Sequence, residues 1–241
     1  MTEIQQLKEL IDRSRNIVFF GGAGVSTESG VKDFRSPDGI YNMKFKYPPE
    51  TMLSHSFFYS HPEDFFDFYR LMMLCDGIKP NKAHYALAEL EKQGKLKAVI
   101  TQNIDGLHQM AGSKTVYELH GSVERNYCDR CGKFFDVKYI KNSTEVPKCT
   151  CGGNIKPDVV LYEEPLDDKT VTGAVRAIAQ ADLLIVGGTS LTVYPAAGLL
   201  RYFQGENLVL INRDETPYDS HADLVIRTPV GETLGRAILG I

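Results

Sequence analysis

Two groups of residues in this chain have the types and spacing to do chemistry. The first is a set of thiols, Cys128-Asp129-Arg130-Cys131 and Cys149-Thr150-Cys151, with residues 132–148 between them and glycine beside each pair (Gly132; Gly152-Gly153). Two such knuckles suit tetrahedral Zn²⁺, because each turn presents two sulfurs and a β-ribbon between them closes the cage. The second knuckle is C-x-C where the usual ribbon has C-x-x-C, a tighter bite that needs a distorted turn; a redox dithiol pair is the competing reading. Four protein ligands leave no open coordination position, so the expected role of Cys128, Cys131, Cys149 and Cys151 is a structural zinc, one per chain, that folds a strand-poor insertion. Cys75, beside Met72, Met73 and Leu74, reads as a buried apolar residue.

The second group is the turn Gly22-Ala23-Gly24-Val25-Ser26-Thr27. It matches the start of the dinucleotide pattern G-x-G-x-x-G, with Thr27 in place of the third glycine, and no strand ending in an acidic residue follows it by about 20 residues. Backbone N–H groups at such a turn suit a pyrophosphate, so nucleotide binding is expected and an ordinary hydride-transfer dehydrogenase is not.

These groups need a frame. Thr2 and Gln5 can form a capping box ahead of Ile4, Leu7, Leu10 and Ile11, whose spacing predicts a first helix ending near Ser14. Ile17-Val18-Phe19-Phe20 then reads as a strand buried on both faces that delivers the glycine turn. Similar runs recur at Ala98–Ile100, Leu183–Val186, Leu208–Ile211 and Leu224–Ile226, separated by helical stretches such as the one capped by Asn81. The alternation implies a doubly wound, mostly parallel α/β sheet. Two stretches break it: residues 31–79, rich in aromatics and turn signals and read as loops and short helices, and residues 124–157, which carry the knuckles. The expected division is a large domain of 1–30, 80–123 and 158–241, a cofactor loop and helical insertion at 31–79, and a zinc-ribbon module at 124–157.

The chain has 241 residues, 43% of them hydrophobic, enough for a sizeable core. A net charge of -4 gives no general attraction to nucleic acid or an anionic membrane, and no long apolar run suggests a span. An odd number of cysteines, 5, argues against a disulfide framework. The expectation is a cytoplasmic monomer that binds neither nucleic acid nor membrane.

The order of motifs is more specific than any one of them. Gly22 through Arg35, Thr101-Gln102-Asn103-Ile104-Asp105-Gly106-Leu107-His108, Leu119-His120-Gly121 and Gly188-Thr189-Ser190-Leu191, with the four cysteines, resemble the sirtuins in their bacterial form, the NAD-dependent protein-lysine deacylases. The resemblance covers residues from about 17 to 230. It implies a Rossmann-like domain, a small zinc ribbon, and a cleft between them where acyl-lysine meets NAD, which is consumed. In that reaction the amide oxygen attacks C1′ of the nicotinamide ribose as nicotinamide leaves, and a base deprotonates a ribose hydroxyl. The resemblance makes His120 that base, and its place at the carboxyl end of Val116–Leu119 is where open α/β sheets bind ligands. Asn103 and Asp105 match residues that hold the reactive water, the ribose and the carboxamide; Phe34 and the Ile104 backbone form the nicotinamide pocket. Arg35 and Gln102 match cofactor contacts, as do Ala23 and Thr27 on the phosphate turn. Thr189, Ser190, Asn212 and Val230 match the adenosine side.

Val160-Leu161-Tyr162-Glu163-Glu164 stands where sirtuins carry V-x-F-G-E, so Val160 and Tyr162 are expected to pair with the acyl-lysine peptide as an added strand. Glu163 replaces a glycine and Lys32 replaces a proline. Desuccinylating sirtuins carry Tyr-x-x-Arg ahead of P-N-x-x-H; here those positions are Phe66 and Tyr69, which predicts deacetylation, with longer neutral acyls as an alternative and Arg70 as the residue that could reverse the preference. A mono-ADP-ribosyltransferase is the competing enzyme, and an acetyl-lysine reader without turnover the competing binding module. His55, His61, His84 and His221 read as surface or structural histidines, and His108 as support behind Asp105.

Overall fold

A computed structural model of the chain describes residues 1–34, 39–75 and 77–241. Helix α1 (Glu3–Arg13) starts at the expected box: the Gln5 N–H donates to the Thr2 hydroxyl, and the Thr2 N–H to the Gln5 side-chain oxygen. Leu7, Leu10 and Ile11 are its buried face. Strand β1 (Ile17–Gly21) is buried at every residue. The insertion follows with α2 (Pro49–Met52), α3 (His55–Ser60) and α4 (Pro62–Met72), and the chain then returns through α5 (Lys82–Lys92), β2 (Leu96–Thr101), α6 (Leu107–Ala111) and β3 (Val116–Glu118). The cysteine-bearing stretch contributes β4 (Gly121–Cys128), β5 (Phe134–Asp136), α7 (Val137–Asn142) and β6 (Ile155–Val159). Last come α8 (Asp168–Ala179), capped by Asp167, then β7 (Leu183–Gly187), β8 (Asn207–Ile211), β9 (Leu224–Ile226) and α9 (Val230–Leu234).

Six strands form one parallel sheet in the order β3-β2-β1-β7-β8-β9. Numbered among themselves, these strands run 3-2-1-4-5-6, the Rossmann order, whose winding reverses between the first and fourth strands and leaves a crevice at their carboxyl ends. Side chains alternate across the sheet. Phe19 joins Leu7, Ile11, Leu87 and Leu234 on one face, while Val18 and Phe20 join Ala174, Ile178 and Leu200 on the other.

The two stretches that interrupt the sequence rhythm meet in space. Phe57, Phe58, Phe65, Phe66, Phe68 and Tyr69 of the insertion share one core with Val123, Val137, Ile140, Ile155 and Leu161. The ribbon is a three-stranded antiparallel sheet, β5-β4-β6, running from Gly121 to Val159, slightly beyond the cysteine-bearing stretch at both ends. Gly121 begins it with φ +74°, and a Cβ there would lie 1.9 Å from the Asp158 carbonyl oxygen. Only glycine permits β4 and β6 to approach this closely.

Cys75 departs from its expected burial. It is half-buried and lines the cleft described below, because α4 ends at Met72 and the chain turns along the rim.

Candidate active site

A cleft of about 760 Å³ occupies the crevice and continues between the large sheet and the smaller body. Its floor is the glycine turn. Ala23 and Thr27 sit in two successive tight turns, Ala23–Val25 and Thr27–Ser29, rather than on an α-helix directly after β1. The Gly24 N–H donates to the Gly188 carbonyl at 2.8 Å, and a Cβ on Gly24 would lie 2.7 Å from the Gly188 Cα, so the turns after β1 and β7 are pressed backbone to backbone. Thr27 fits the third-glycine position because its hydroxyl donates to the Gly24 carbonyl at 3.1 Å. Asn81, the cap of α5, clamps the turn from behind through its amide, which donates to Val25 O (2.8 Å) and Ser29 Oγ (3.0 Å).

The residues after β2 form the centre of the cleft. The Asn103 amide donates to Ser26 Oγ at 3.0 Å, and Ser26 Oγ donates to Asp105 Oδ2 at 2.6 Å. The other Asp105 oxygen accepts from the Leu107 N–H at 3.0 Å, at the start of α6. Ser26, fully buried, is thus the hub of this cluster, and the motif reading passed over it. The available signal was a hydroxyl directly after apolar Val25 on a turn where a dinucleotide fold has little use for one. Gln102 donates from its amide to Thr189 Oγ1 at 3.0 Å, and the Ile104 carbonyl accepts from the Val123 N–H at 3.0 Å, which ties the segment to β4.

His120 lies on the short link between β3 and β4, half-buried on the cleft wall. Its Nδ1 is 2.9 Å from the Gln102 carbonyl oxygen. A carbonyl can only accept, so Nδ1 carries the proton and Nε2 is left as the proton-accepting nitrogen. Burial holds the imidazole below its ordinary pKa of 6.5, and the hydrogen bond to Gln102 offsets part of that shift. Behind the site, His84 and His108 pack with ring centroids 4.7 Å apart. Burial pushes His84 down to about 4, against an opposing pull from Asp105, and His108 to about 3. His84 is therefore a core residue with one satisfied nitrogen, accepting from the Asn81 N–H. His108 packs on His84 and Phe19, while Asp105 lies ahead of α6, outside the helix that carries His108.

The remaining expected cofactor residues also border the cleft. Phe34 packs on Tyr41 with centroids 5.5 Å apart. Ser190 pairs with Thr192, Asn212 donates to the Asp214 carbonyl at 2.9 Å, and Val230 opens α9 from a buried position. Arg35 lies outside the described residues. Lys32 is an exposed residue of the rim.

Val160 donates its N–H to the His120 carbonyl at 3.0 Å. Tyr162 bonds through its N–H to Leu53 O (2.9 Å) and through its carbonyl to the His55 N–H (3.0 Å), so this segment is held against the insertion. Glu163 has φ +76°, the left-handed geometry that a glycine would take there, so the substitution leaves the turn in place. Phe66 and Tyr69 are buried in the shared core. The Arg70 guanidinium, which follows Tyr69, is already engaged: it donates to Ile140 O, to Ser143 Oγ at 2.9 Å and to Glu145 O.

The four knuckle cysteines converge, with all Sγ atoms within 4.8 Å of one another, and pairs at 3.4 Å (Cys128, Cys151) and 3.7 Å (Cys131, Cys149). Zn–S bonds of about 2.3 Å in a tetrahedron require sulfurs about 3.8 Å apart, so the cage fits zinc. The tight C-x-C bite is accommodated by a turn in which the Cys149 N–H donates to Gly153 O and the Gly152 N–H to Cys149 O.

Fold and site together define a Rossmann-type nucleotide-binding protein with a four-thiolate structural zinc module beside its cleft. Residues 22–195 match the model of the Sir2 family. A protein of Clostridium acetobutylicum named NAD-dependent protein deacetylase is 62% identical over 99% of each chain, and one of that name from Sulfolobus acidocaldarius is 46% identical over 93% of this chain and 90% of its own. A solved structure of Sir2 with p53 peptide and NAD⁺ superposes with a TM-score of 0.86 at 41% identity, covering 100% of this chain and 98% of that one. Another, of Sir2 with an inhibitor, 2′-O-acetyl-ADP-ribose and deacetylated p53 peptide, gives 0.85 at 40% identity over 98% of each chain. The chain belongs to the Sir2 family. Among the described residues, no helix is long and apolar enough to cross a membrane.

Proposed function

We propose that this protein is an NAD-dependent protein-lysine deacetylase that transfers the acetyl group of acetyl-lysine to ADP-ribose with release of nicotinamide. The observation that carries this reading is the meeting in one cleft of a phosphate-type glycine turn, the Ser26, Asn103 and Asp105 cluster, and His120 with its Nδ1 fixed. NAD, the consumed co-substrate, supplies an electrophilic ribose carbon with nicotinamide as leaving group.

The chain's own residues do the rest. Ala23 and Thr27 present the turn to the pyrophosphate; Thr189, Ser190, Asn212 and Val230 receive the adenosine side. Phe34 and the Ile104 backbone form the nicotinamide pocket, and Arg35 and Gln102 are further cofactor contacts by their place in the motifs. Asn103 and Asp105, oriented by Ser26, hold the ribose, the carboxamide and the reactive water. His120 accepts the ribose hydroxyl proton at Nε2, and its hydrogen bond to Gln102 fixes the tautomer that makes this possible. Val160 and Tyr162 contact the acyl-lysine peptide, which adds as a strand beside segment 160–164; main-chain pairing of that kind tolerates many peptide sequences. Cys128, Cys131, Cys149 and Cys151 hold one structural Zn²⁺.

The division into a large domain (1–30, 80–123, 158–241), a cofactor loop and helical insertion (31–79) and a zinc ribbon (124–157) accords with these roles, the last two sharing the core that backs the acyl-lysine side. The reading includes a cytoplasmic monomer acting on acetylated proteins, without direct nucleic-acid or membrane contact, and the net charge of -4 supports the last point by giving no general attraction to either. Apolar Ile40, Leu53, Met72 and Met73 on the cleft wall favour acetyl and longer neutral acyl groups over succinyl, as does the engaged Arg70.

The test is incubation with NAD and acetyl-, butyryl- and succinyl-lysine peptides, with products read by mass. Acetyl-ADP-ribose and free lysine are expected. A protein or peptide gaining the mass of ADP-ribose would instead indicate a mono-ADP-ribosyltransferase, and binding without nicotinamide release would indicate a reader. Comparable kcat/KM on succinyl and acetyl peptides would overturn the acyl preference.

A further inference from the structure

Glu163 has no role in the account above, yet its geometry is unusual. It is the third residue of a turn closed by the Glu164 N–H on the Leu161 carbonyl at 3.0 Å, and its φ is +76°. A left-handed third residue is the position type II turns reserve for glycine, because a Cβ there is crowded by the backbone. The glutamate side chain reaches across to the insertion: Oε2 accepts from the Ser56 N–H and Oε1 from the Ser56 hydroxyl, each at 2.9 Å. Ser56 lies in the first turn of α3, whose N–H groups find no acceptor within the helix. The neighbours on either side are fixed by other means. Tyr162 is held by main-chain bonds to Leu53 and His55, and the Glu164 carboxylate accepts from Leu161 N, Lys156 Nζ and His55 Nδ1. The one residue of 160–164 in the left-handed region is also the one whose carboxylate makes a two-pronged bond to another element.

We propose that the Glu163 carboxylate is a positioning group for the acyl-lysine substrate: by binding Ser56 it holds a non-glycine residue left-handed and keeps the main chain of 160–164 ready to pair with the peptide. The proposal rests on the reading of that segment as the peptide-pairing strand. Without the bond, residue 163 relaxes toward negative φ and turns the peptide plane that follows it. The incoming peptide then has to reorder the strand, which weakens its binding and leaves the chemical step alone.

Steady-state kinetics on an acetyl-lysine peptide test this with Glu163→Ala, Glu163→Gln, Glu163→Gly, and Ser56→Ala alone and combined with Glu163→Gly. Glu163→Ala is expected to raise the peptide KM about three- to tenfold, with kcat and the NAD KM unchanged. Glu163→Gln, which keeps an acceptor oxygen, and Glu163→Gly, which needs no restraint, stay near wild type. Ser56→Ala raises the peptide KM in the wild-type background and has no effect beside Glu163→Gly. A wild-type KM in Glu163→Ala, or an equal effect of Ser56→Ala in both backgrounds, overturns the proposal. Should Glu163→Ala fail to fold, the Ser56→Ala comparison decides alone. Hydrogen exchange of the wild-type protein with added peptide separates the two levels. Protection at 160–164 with no KM effect refutes the role of Glu163 only, whereas protection elsewhere refutes the strand reading and the proposal with it.

Discussion

Replacing Gly121 by alanine should damage stability and activity together. The new Cβ would stand 1.9 Å from Asp158 O, 2.9 Å from Asp158 C and 3.3 Å from Val159 Cα. All three are backbone atoms, so no flexible side chain can yield. Restoring ordinary contact of about 3.2 Å requires β4 and β6 to part by roughly 1.3 Å at their junction, and the left-handed φ adds about 1 kcal/mol for a residue with a Cβ. The Val160 to His120 main-chain bond lies one residue away and would be lost as well. A total of about 3–5 kcal/mol follows, among the largest effects of a single substitution. For a chain of this length that corresponds to a Tm lower by roughly 10 °C, read by circular dichroism. Because the displaced link carries His120, kcat/KM for acetyl-lysine peptide should fall about 10²-fold, the usual consequence of misplacing a reacting group by an ångström. A variant melting within about 2 °C of wild type with kcat/KM within about twofold would refute the reasoning.

His120 must be neutral to accept a proton, and burial lowers its pKa from 6.5, so kcat/KM should be flat above that pH and fall only below it; a midpoint above 6.5 would contradict the assignment. His120→Ala should slow steady-state formation of acetyl-ADP-ribose by about 10²–10⁴-fold, and formation at the wild-type rate would remove the base role. Metal analysis should find one zinc per chain, and stripping it should unfold the ribbon and abolish activity, since the four thiolates would be left unbridged. Acid should destabilise the protein through His84 and His108, whose folded pKa values of about 4 and about 3 lie below the unfolded value of 6.5. The unfolded chain binds more protons in that window, so stability is full above pH 6.5 and declines as pH falls toward 4; urea unfolding at pH 7 and pH 5 should differ by about 4 kcal/mol, and equal midpoints would count against it.

The sheet was legible because most of its strands hold short apolar runs, and the two central ones end in glycine: Ile17–Phe20 and Leu183–Val186 pair in register along their length. The thiol cage was legible because spacing alone specifies metal ligands. What escaped was long-range company. No local pattern says that Phe65 and Phe66 of the insertion pack with Ile140 and Ile155 of the ribbon, or that Arg70 spends its donors on the carbonyls of residues 140 and 145. Cys75 was misread for the same reason, since apolar neighbours in sequence do not reveal that the chain has reached the cleft rim. Within the site, the motif residues fall together in the cleft, but Ser26 as hub and Asn81 as clamp depend on side chains of separate segments meeting, which a linear pattern cannot express.

The shared core of insertion and ribbon gives the cleft two walls of different character. One is the parallel sheet with its glycine turns; the other is an aromatic block pinned by four thiols. His120 stands where the chain passes from one to the other, its ring bonded to Gln102 on the sheet side and its carbonyl to Val160 on the block side. A substitution that shifts either wall is therefore felt at this one imidazole, through the Gln102 carbonyl from the sheet side and through Val160 from the other.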